Sequence, residues 1–443
     1  MNKNNANNNN TDQNNIIARI KALNIKRLLL DNAVTLLFIA LSLACVSISG
    51  MRTTQLANEL TARITRNAFI ILALIIPVVA GMGINFAITI GAMAAQIAIL
   101  VTMNWRVPGI SGFLLSCALT IPLATLFGVL VGVILNKMKG QEMIGSMILG
   151  YFANGLYQLL FLYIFGTLIP IGNTDLTIVG ATGIRNTLDL SVKYGFKWAL
   201  DNVWKIPLKQ AVYWSVGILL AAYGIRLLIA ALRKKPIQSC IRSLIKAAVI
   251  AAILVGIVQL KYITTMFSMT KIPMVSFALV ALMCMFNSMI MRTRLGQRFR
   301  AVGQSRAVAN AAGINVNRTR ITAIAISTVL AGIGQVIFMQ NFGAVQTYSA
   351  HEQVGLYAGA AILVGGASIS RATNGQAILG CILFHTLFIV APRAGNAIFG
   401  DSAIGEYFRV FISYGVIALA LVLHGLRSRR QSADLLRAAS MKT

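Results

Sequence analysis

Acidic residues are scarce in this chain: 11 Asp and Glu stand against 39 Lys and Arg in 443 residues. Asp31, Glu59, Glu142, Asp175, Asp189, Asp201, Glu352, Asp401 and Glu406 all fall at the ends of apolar runs or in loops. No pair of carboxylates therefore stands at membrane depth to act as a proton or sodium relay. Histidine is rarer still, with three residues. There is no HExxH; His351-Glu352 reads as a solvated loop pair and His385 as a packed core histidine. The five cysteines (Cys45, Cys117, Cys240, Cys284, Cys381) are scattered, with no CxxC or Cys/His spacing. Neither a disulfide framework nor a zinc site is expected. GxxxxGK followed by Ser or Thr is absent, as is GxSxG. The chain thus holds no ATP by a phosphate-binding loop of its own. It reads as having no catalytic residue, no metal and no cofactor.

What it has is apolar length. Hydrophobic residues make up 57%, only 11% are charged, and mean hydropathy is +0.76. These values exclude an ordinary soluble domain and indicate an all-α, polytopic helical membrane protein. The formal charge of +28 raises nucleic acid as a partner. That partner is excluded, because the basic residues are divided among short loops and form no long basic face.

A spanning helix needs about 20 mostly apolar residues. Runs at 33–50, 67–83, 85–103, 109–135, 143–169, 208–232, 247–265, 274–291, 321–341, 354–370, 375–391 and 406–425 meet that need. They correspond to about 10 to 12 membrane segments, since Gly81-Met82-Gly83 breaks one pair and two late runs are short and Gly-rich. Residues 1–31 open with MNKNNANNNNTDQNN and read as a disordered polar tail. No cleavable signal follows, since the first apolar run lacks a small-residue cleavage pattern. Residues 32–425 form the expected membrane domain, and 426–443 a basic tail. With the N-terminus inside, Lys and Arg divide roughly two to one in favour of inner loops, so both termini are expected in the cytoplasm. The segment 170–209 is expected outside. Its turn formers (Gly172, Asn173, Gly180, Gly183) and its Tyr194, Trp198 and Trp204 fit either a structured cap that meets a delivery protein or an interfacial helix.

The segment 292–320 carries Arg292, Arg294, Arg298, Arg300, Arg306, Arg318 and Arg320 without one acid, between two apolar runs. Within it, Ser305–Ala312 favours a short helix, opened by a Ser cap and closed by Gly313. Ile314, Asn315 and Val316 then leave the helix before Arg318 and Arg320, which read as a membrane-face anchor. A short helix held between two breaks has the shape to enter a groove of another subunit; a plain inner loop is the other reading.

LGQRFRAVGQSRAVANAAGINVNRTR closely resembles the cytoplasmic coupling segment of bacterial ABC-importer permeases that handle branched-chain amino acids, ribose and other simple sugars, and nucleosides (a type II importer architecture). The likeness rests on Gly296-Gln297, Ala301-Val302-Gly303, Ala307–Ala312 and Ala312-Gly313-Ile314-Asn315-Val316. It continues in Ala331-Gly332-Ile333-Gly334 and in Val364-Gly365-Gly366-Ala367-Ser368, and is fainter before residue 290. There, Gly81–Gly91 is similar to a sugar-permease segment, with Asn85 where that segment has an acid. Glu142-Met143-Ile144 is similar to the nucleoside branch. The resemblance implies two permease subunits around one pathway, two cytoplasmic ATPases holding ATP-Mg, and an extracellular or lipoprotein binding protein. It implies that Gly303, Ser305, Arg306, Ala309, Gly313, Ile314 and Asn315 form the ATPase-coupling element, with anionic lipid heads as a further neighbour of the arginines.

Broken helices mark pathways in transport proteins. Two breaks occur here: Gly81–Gly91, with Asn85 and Thr89, and Gly355–Ser368, with Gly365 and Gly366. Together with Gln96, Asn154 and Gln158 these are the candidate pathway residues. They are neutral hydrogen-bonding groups, which suit an uncharged sugar or nucleoside, although polar groups also cement helix packing. An ion-coupled secondary transporter or channel is the alternative class, and the scarcity of buried carboxylates weighs against it.

Overall fold

Backbone polar groups in a bilayer must be satisfied within the chain, and this chain satisfies them with helices. The computed structural model describes residues 32–138, 140–178, 182–232, 238–259, 267–401 and most of 403–422. The expected tails 1–31 and 426–443 lie outside the described residues.

The helices are α1 (Ala33–Ile48), α2 (Thr53–Ala73), α3 (Ile75–Val79), α4 (Ile88–Asn104), α5 (Gly109–Lys137), α6 (Glu142–Leu159), α7 (Leu208–Leu232) and α8 (Gln238–Gln259). They continue with α9 (Met274–Arg292), α10 (Arg294–Gln304), α11 (Arg306–Ala311), α12 (Val316–Phe342), α13 (Val354–Val364) and α14 (Asn374–Phe399). Among the described residues, seven helical stretches are long and apolar enough to cross a membrane: 53–79, α5, α6 with its terminal turn, α7, α9, α12 and α14. The helices α1, α4 and α13 are apolar but shorter.

Helix α12 is the axis of the bundle and packs on α2, α4 and α5. Small residues allow this close approach. A Cβ on Gly332 would stand 2.6 Å from Thr120 Cγ2 and 3.0 Å from Gly91 O, so α4, α5 and α12 meet with almost no side chain between them. Buried hydroxyls and amides stitch the same helices. Ser327 donates to Ala73 O at 2.9 Å, Ser116 to Thr102 at 3.0 Å, and Asn287 to Leu72 O at 3.0 Å. Helix α14 closes the other side against α1, α2 and α13.

Among the described residues, four three-residue strands mark the end of the bundle remote from the basic segment. β1 (Thr187–Asp189) pairs antiparallel with β4 (Ala344–Gln346), and β2 (Lys205–Pro207) with β3 (Lys271–Pro273). Here Trp198 donates its backbone N–H to Gln340 O at 2.8 Å and its indole N–H to Asn341 O at 3.1 Å. The described part of 170–209 is therefore a strand-and-turn cap fastened to the end of α12. It is not the tryptophan-anchored interfacial helix that was the other expectation.

The sequence boundaries shift most tellingly before α2 and after α13, while α8 also starts earlier and α14 ends later than the apolar runs 247–265 and 375–391. The stretch 50–66, expected as a loop, is helical from Thr53 and belongs to α2. Leu56, Leu60 and Ile64 give it an apolar side, while Arg63 and Arg66 mask that side in a hydropathy average. Both arginines are held over rings, Arg63 4.7 Å from the Phe388 centroid and Arg66 5.5 Å from that of Phe342. The run 354–370 shortens to α13, because Gly366 adopts φ +89° and the chain turns away.

Candidate functional site: a polar cavity above a basic segment

The basic segment is built as two helices folded onto the bundle. Thr293 caps α10, accepting from Gly296 N at 3.3 Å. Phe299 and Val302 are buried, with Phe299 against Ile76, Ala80 and Ala323, while Arg294, Arg298 and Arg300 face out. This amphipathic helix, which sequence reading left as a plain basic stretch, explains the arginine spacing: one side packs and the other is charged. At its end Gly303 lies against the chain at Gly81, and a Cβ on Gly81 would come within 2.7 Å of Gly303 Cα. Two backbones touch there because neither residue has a side chain.

Ser305 caps α11 through Val308 N at 3.3 Å, and Gly313 ends it with φ +76°. The expected short helix is present. Only Ala309 of α11 is buried, whereas Ala307, Val308 and Asn310 are exposed and Val308 is 67% accessible. Asn315 accepts from Arg318 N at 2.9 Å and caps α12, so Val316 begins that helix rather than leaving one.

Two arginines do something that their sequence context hid. Arg320, expected at the membrane face, is fully buried and bonds Glu142 and Asn136, the latter at 3.0 Å. Arg306, from the first turn of α11, reaches Glu142 Oε1 at 2.5 Å and lies 3.5 Å from Gly81 O. One carboxylate at the start of α6 thus joins α11, α12 and the break between α3 and α4. Buried charges persist only when so paired.

That break is the predicted one, with Gly81 and Gly83 at φ +72° and +71°. Asn85 folds the link by accepting from Ala87 N at 3.1 Å, and Ser146 of α6 accepts from Phe86 N at 3.0 Å. The two breaks read from sequence are neighbours: a Cβ on Gly355 would meet Phe86 O at 2.6 Å and Thr89 Oγ1 at 2.9 Å.

Between them lies a cavity of about 180 Å³, lined by Phe86, Thr89, Met147, Gly150, Tyr151, Asn154, His351, Glu352, Gln353, Leu356 and Tyr414. Its polar wall is a continuous chain. His351 Nε2 lies 2.7 Å from Asn154 Oδ1 and Nδ1 lies 3.0 Å from Gln96 Oε1. Asn154 Nδ2 donates to Glu352 at 3.0 Å; Tyr157 Oη is 2.5 Å from Gln96 Oε1 and 3.0 Å from Thr347 O. A neutral imidazole has one donor and one acceptor nitrogen, so two oxygens cannot both be met. In this amide orientation Gln96 Nε2 is also buried without a partner. The reverse orientation of Gln96 resolves the first of these and leaves its amide oxygen, in place of the nitrogen, at the buried position without a partner. Its amide then donates to His351 Nδ1 and Tyr157 Oη, Tyr157 donates to Thr347 O, and Nε2–H donates to Asn154. Burial lowers the pKa of His351, on the link between α12 and α13, to about 4, in keeping with a neutral ring.

The expectation that His351-Glu352 is a solvated loop pair is therefore wrong for His351, which is buried. Isolated loop histidines look alike in sequence, and only the fold brings Gln96 and Asn154 to either side. His385 is buried in α14, as read. Thr89 and Asn154 line the cavity, and Gln96 supports its wall. Asn85 shapes the link instead of lining the cavity, while Gln158 lies one turn beyond Asn154, outside the lining. Gly365 and Gly366 are not in the cavity: Gly365 packs on α14 at Gln376 and Gly380, and Gly366 stands by Thr35. Their smallness serves helix packing.

A family model described as branched-chain amino acid transport system, permease component, matches residues 60–421. The chain belongs to that family. No curated relative and no solved structure matches the chain. The family match spans the basic segment, the break and the cavity, and it makes this multi-pass chain a transmembrane transport subunit of an ABC transporter rather than an enzyme. For the permease, α10 and α11 form the basic end of the bundle, and α6 runs from its Glu142 contact with α11 to the cavity lined by Met147, Gly150, Tyr151 and Asn154.

Proposed function

We propose that this permease forms the translocation pathway of an ATP-driven importer in the bacterial cytoplasmic membrane, with both termini and the basic end in the cytoplasm. Two ATPase subunits, each with its own ATP-Mg, press on α11, and a second permease subunit completes the pathway. An extracellular or lipoprotein binding protein delivers the solute to the strand-and-turn cap. The observation that carries this reading is the exposed face of α11: Ala307, Val308 and Asn310–Gly313 project from a helix that is capped at both ends and seated on buried Ala309. A projecting helix held this firmly at its base transmits a push instead of folding away.

The cavity lining supports a reading of the solute class. Asn154, Thr89 and Gln353 offer neutral hydrogen bonds beside the rings of Phe86, Tyr151 and Tyr414, with one carboxylate, Glu352. That combination favours a neutral polar solute, a simple sugar or nucleoside, over an anion; a branched-chain amino acid would bring its own carboxylate near Glu352.

Val308→Asp tests the docking. Its side chain is exposed, so folding is retained, but a charge enters an apolar contact. Affinity-tagged chain purified from membranes should bring down an ATPase bearing a phosphate-binding loop, and the variant should lose it at equal yield. ATPase capture that is identical in parent and variant defeats the proposal.

A further inference from the structure

Helix α6, like α7 and α9, is little covered by the rest of the described chain. Of its most apolar stretch 17% is buried, against 61% for α12 and 67% for the α2–α3 span. Gly150 and Gly155 have no neighbour within 4 Å of an added Cβ. Yet α6 supplies Met147, Gly150, Tyr151 and Asn154 to the cavity, at the i, i+3, i+4, i+7 spacing of one helix face. Its described polar ties lie near its ends. At the cavity end Asn154 and Tyr157 join the chain that runs through Gln96 and His351. At the basic end Ser146 bonds Phe86 N, and Glu142, its first residue, holds Arg306 and Arg320.

The two arginines differ in what they are attached to. Arg320 belongs to α12, the buried axis, and is itself fully buried. Arg306 belongs to the exposed six-residue α11 and is about one third accessible. Both bond the same oxygen, Oε1 of Glu142. The carboxylate is thus shared between a fixed partner and one that moves with whatever presses on α11.

We propose that α6 is the moving wall of the cavity, and that Glu142 is the positioning residue through which Arg306 drives it. Displacement of α11 carries Arg306, and the ion pair carries the first turn of α6. A rigid helix then swings Met147, Gly150, Tyr151 and Asn154 relative to Phe86 and Thr89. Arg320 keeps the carboxylate charged and paired throughout, so the joint changes partner geometry without stranding a buried charge. This inference rests on α11 being the element that the ATPases press.

The test follows α6 directly and needs no solute. Tyr151 is 71% exposed on the cavity face of α6. A fluorophore on Tyr151→Cys, with the native cysteines replaced by serine, reports its surroundings in the assembled transporter. The probe ligand is ADP trapped with vanadate. Trapping should shift the emission in the otherwise unaltered chain. Arg306→Gln should abolish the shift, read only in transporter from which the ATPase is still captured; Arg306→Lys should restore part of it. Glu142→Gln should act like Arg306→Gln, and if it fails to fold, the Arg306 pair of variants decides. A shift that survives in Arg306→Gln overturns the lever, as does a parent chain that binds the ATPase and shows no shift. A parent chain that captures no ATPase overturns the proposed function, and the lever with it.

Discussion

Helices α12 and α6 cross the same bundle and are built on opposite plans. Helix α12 is joined along its whole length, by Thr319 and Arg320 at one end, by Ser327, Thr328, Ala331 and Gly332 in the middle, and by Gln340 and Asn341 at the other. Helix α6 has its polar ties near its ends, and between them only Gly150 is buried, with Leu149 and Ala153 half-buried against the core. The first is specified by small residues that let backbones touch, the second by a few polar contacts and a sparsely covered middle. Tight packing resists graded displacement, whereas a helix tied near its two ends can swing. The difference sets a closely packed axis against a sparsely covered helix, and the proposed movement falls on the second.

The comparison can be broken most severely at the buried ions. Arg320→Ala leaves a cavity on the axis and half of Glu142's neutralisation, which should cost about 3–5 kcal/mol. It will be read as a large fall in the thermal unfolding midpoint of the purified protein, with Arg306→Gln far milder. Gly91→Val adds atoms where α4 meets α12 at Thr328 and Gly332. A loss of about 1–3 kcal/mol is expected from such overpacking, measured the same way. Gly155→Ala on α6 should do the reverse. The site is open, and replacing a helical glycine stabilises by about 0.5–1 kcal/mol; a destabilised variant would show that α6 is packed after all.

The smallest effect concerns His351. Its ring is held neutral, with a folded pKa near 4 against an ordinary value of 6.5. The unfolded chain therefore binds the proton first, and stability declines as pH falls from about 6.5 toward 4. Between pH 7 and 6 the loss should be under about 1 kcal/mol, and His351→Gln should flatten that part of the pH profile.

Much of this was legible in the residues. Helical periods, the break at Gly81-Met82-Gly83 and the Ser305/Gly313 brackets of α11 are local signals, and local signals survive in a sequence. Arg320 was not legible, because a basic residue at the edge of an apolar run looks like an anchor until its acid arrives from Glu142. His351 was hidden for the same reason. Gly365 and Gly366 misled in the other direction: a glycine pair looks the same whether it opens a path or lets two helices touch. The start of α2 was missed because hydropathy averaging cannot see that Arg63 and Arg66 lie over aromatic rings.

The contact of Gly81 with Gly303 carries a mechanical consequence. Two backbones in van der Waals contact repel steeply when pressed together and attract feebly when drawn apart. The junction therefore works like a thrust bearing, passing compression from α10 to the α3–α4 link and almost no tension. On the proposed lever, a return stroke would run through a bond that holds under tension, the Arg306–Glu142 ion pair at 2.5 Å. Closing and reopening the permease would then load different atoms, so a single substitution could slow one half of the cycle and spare the other.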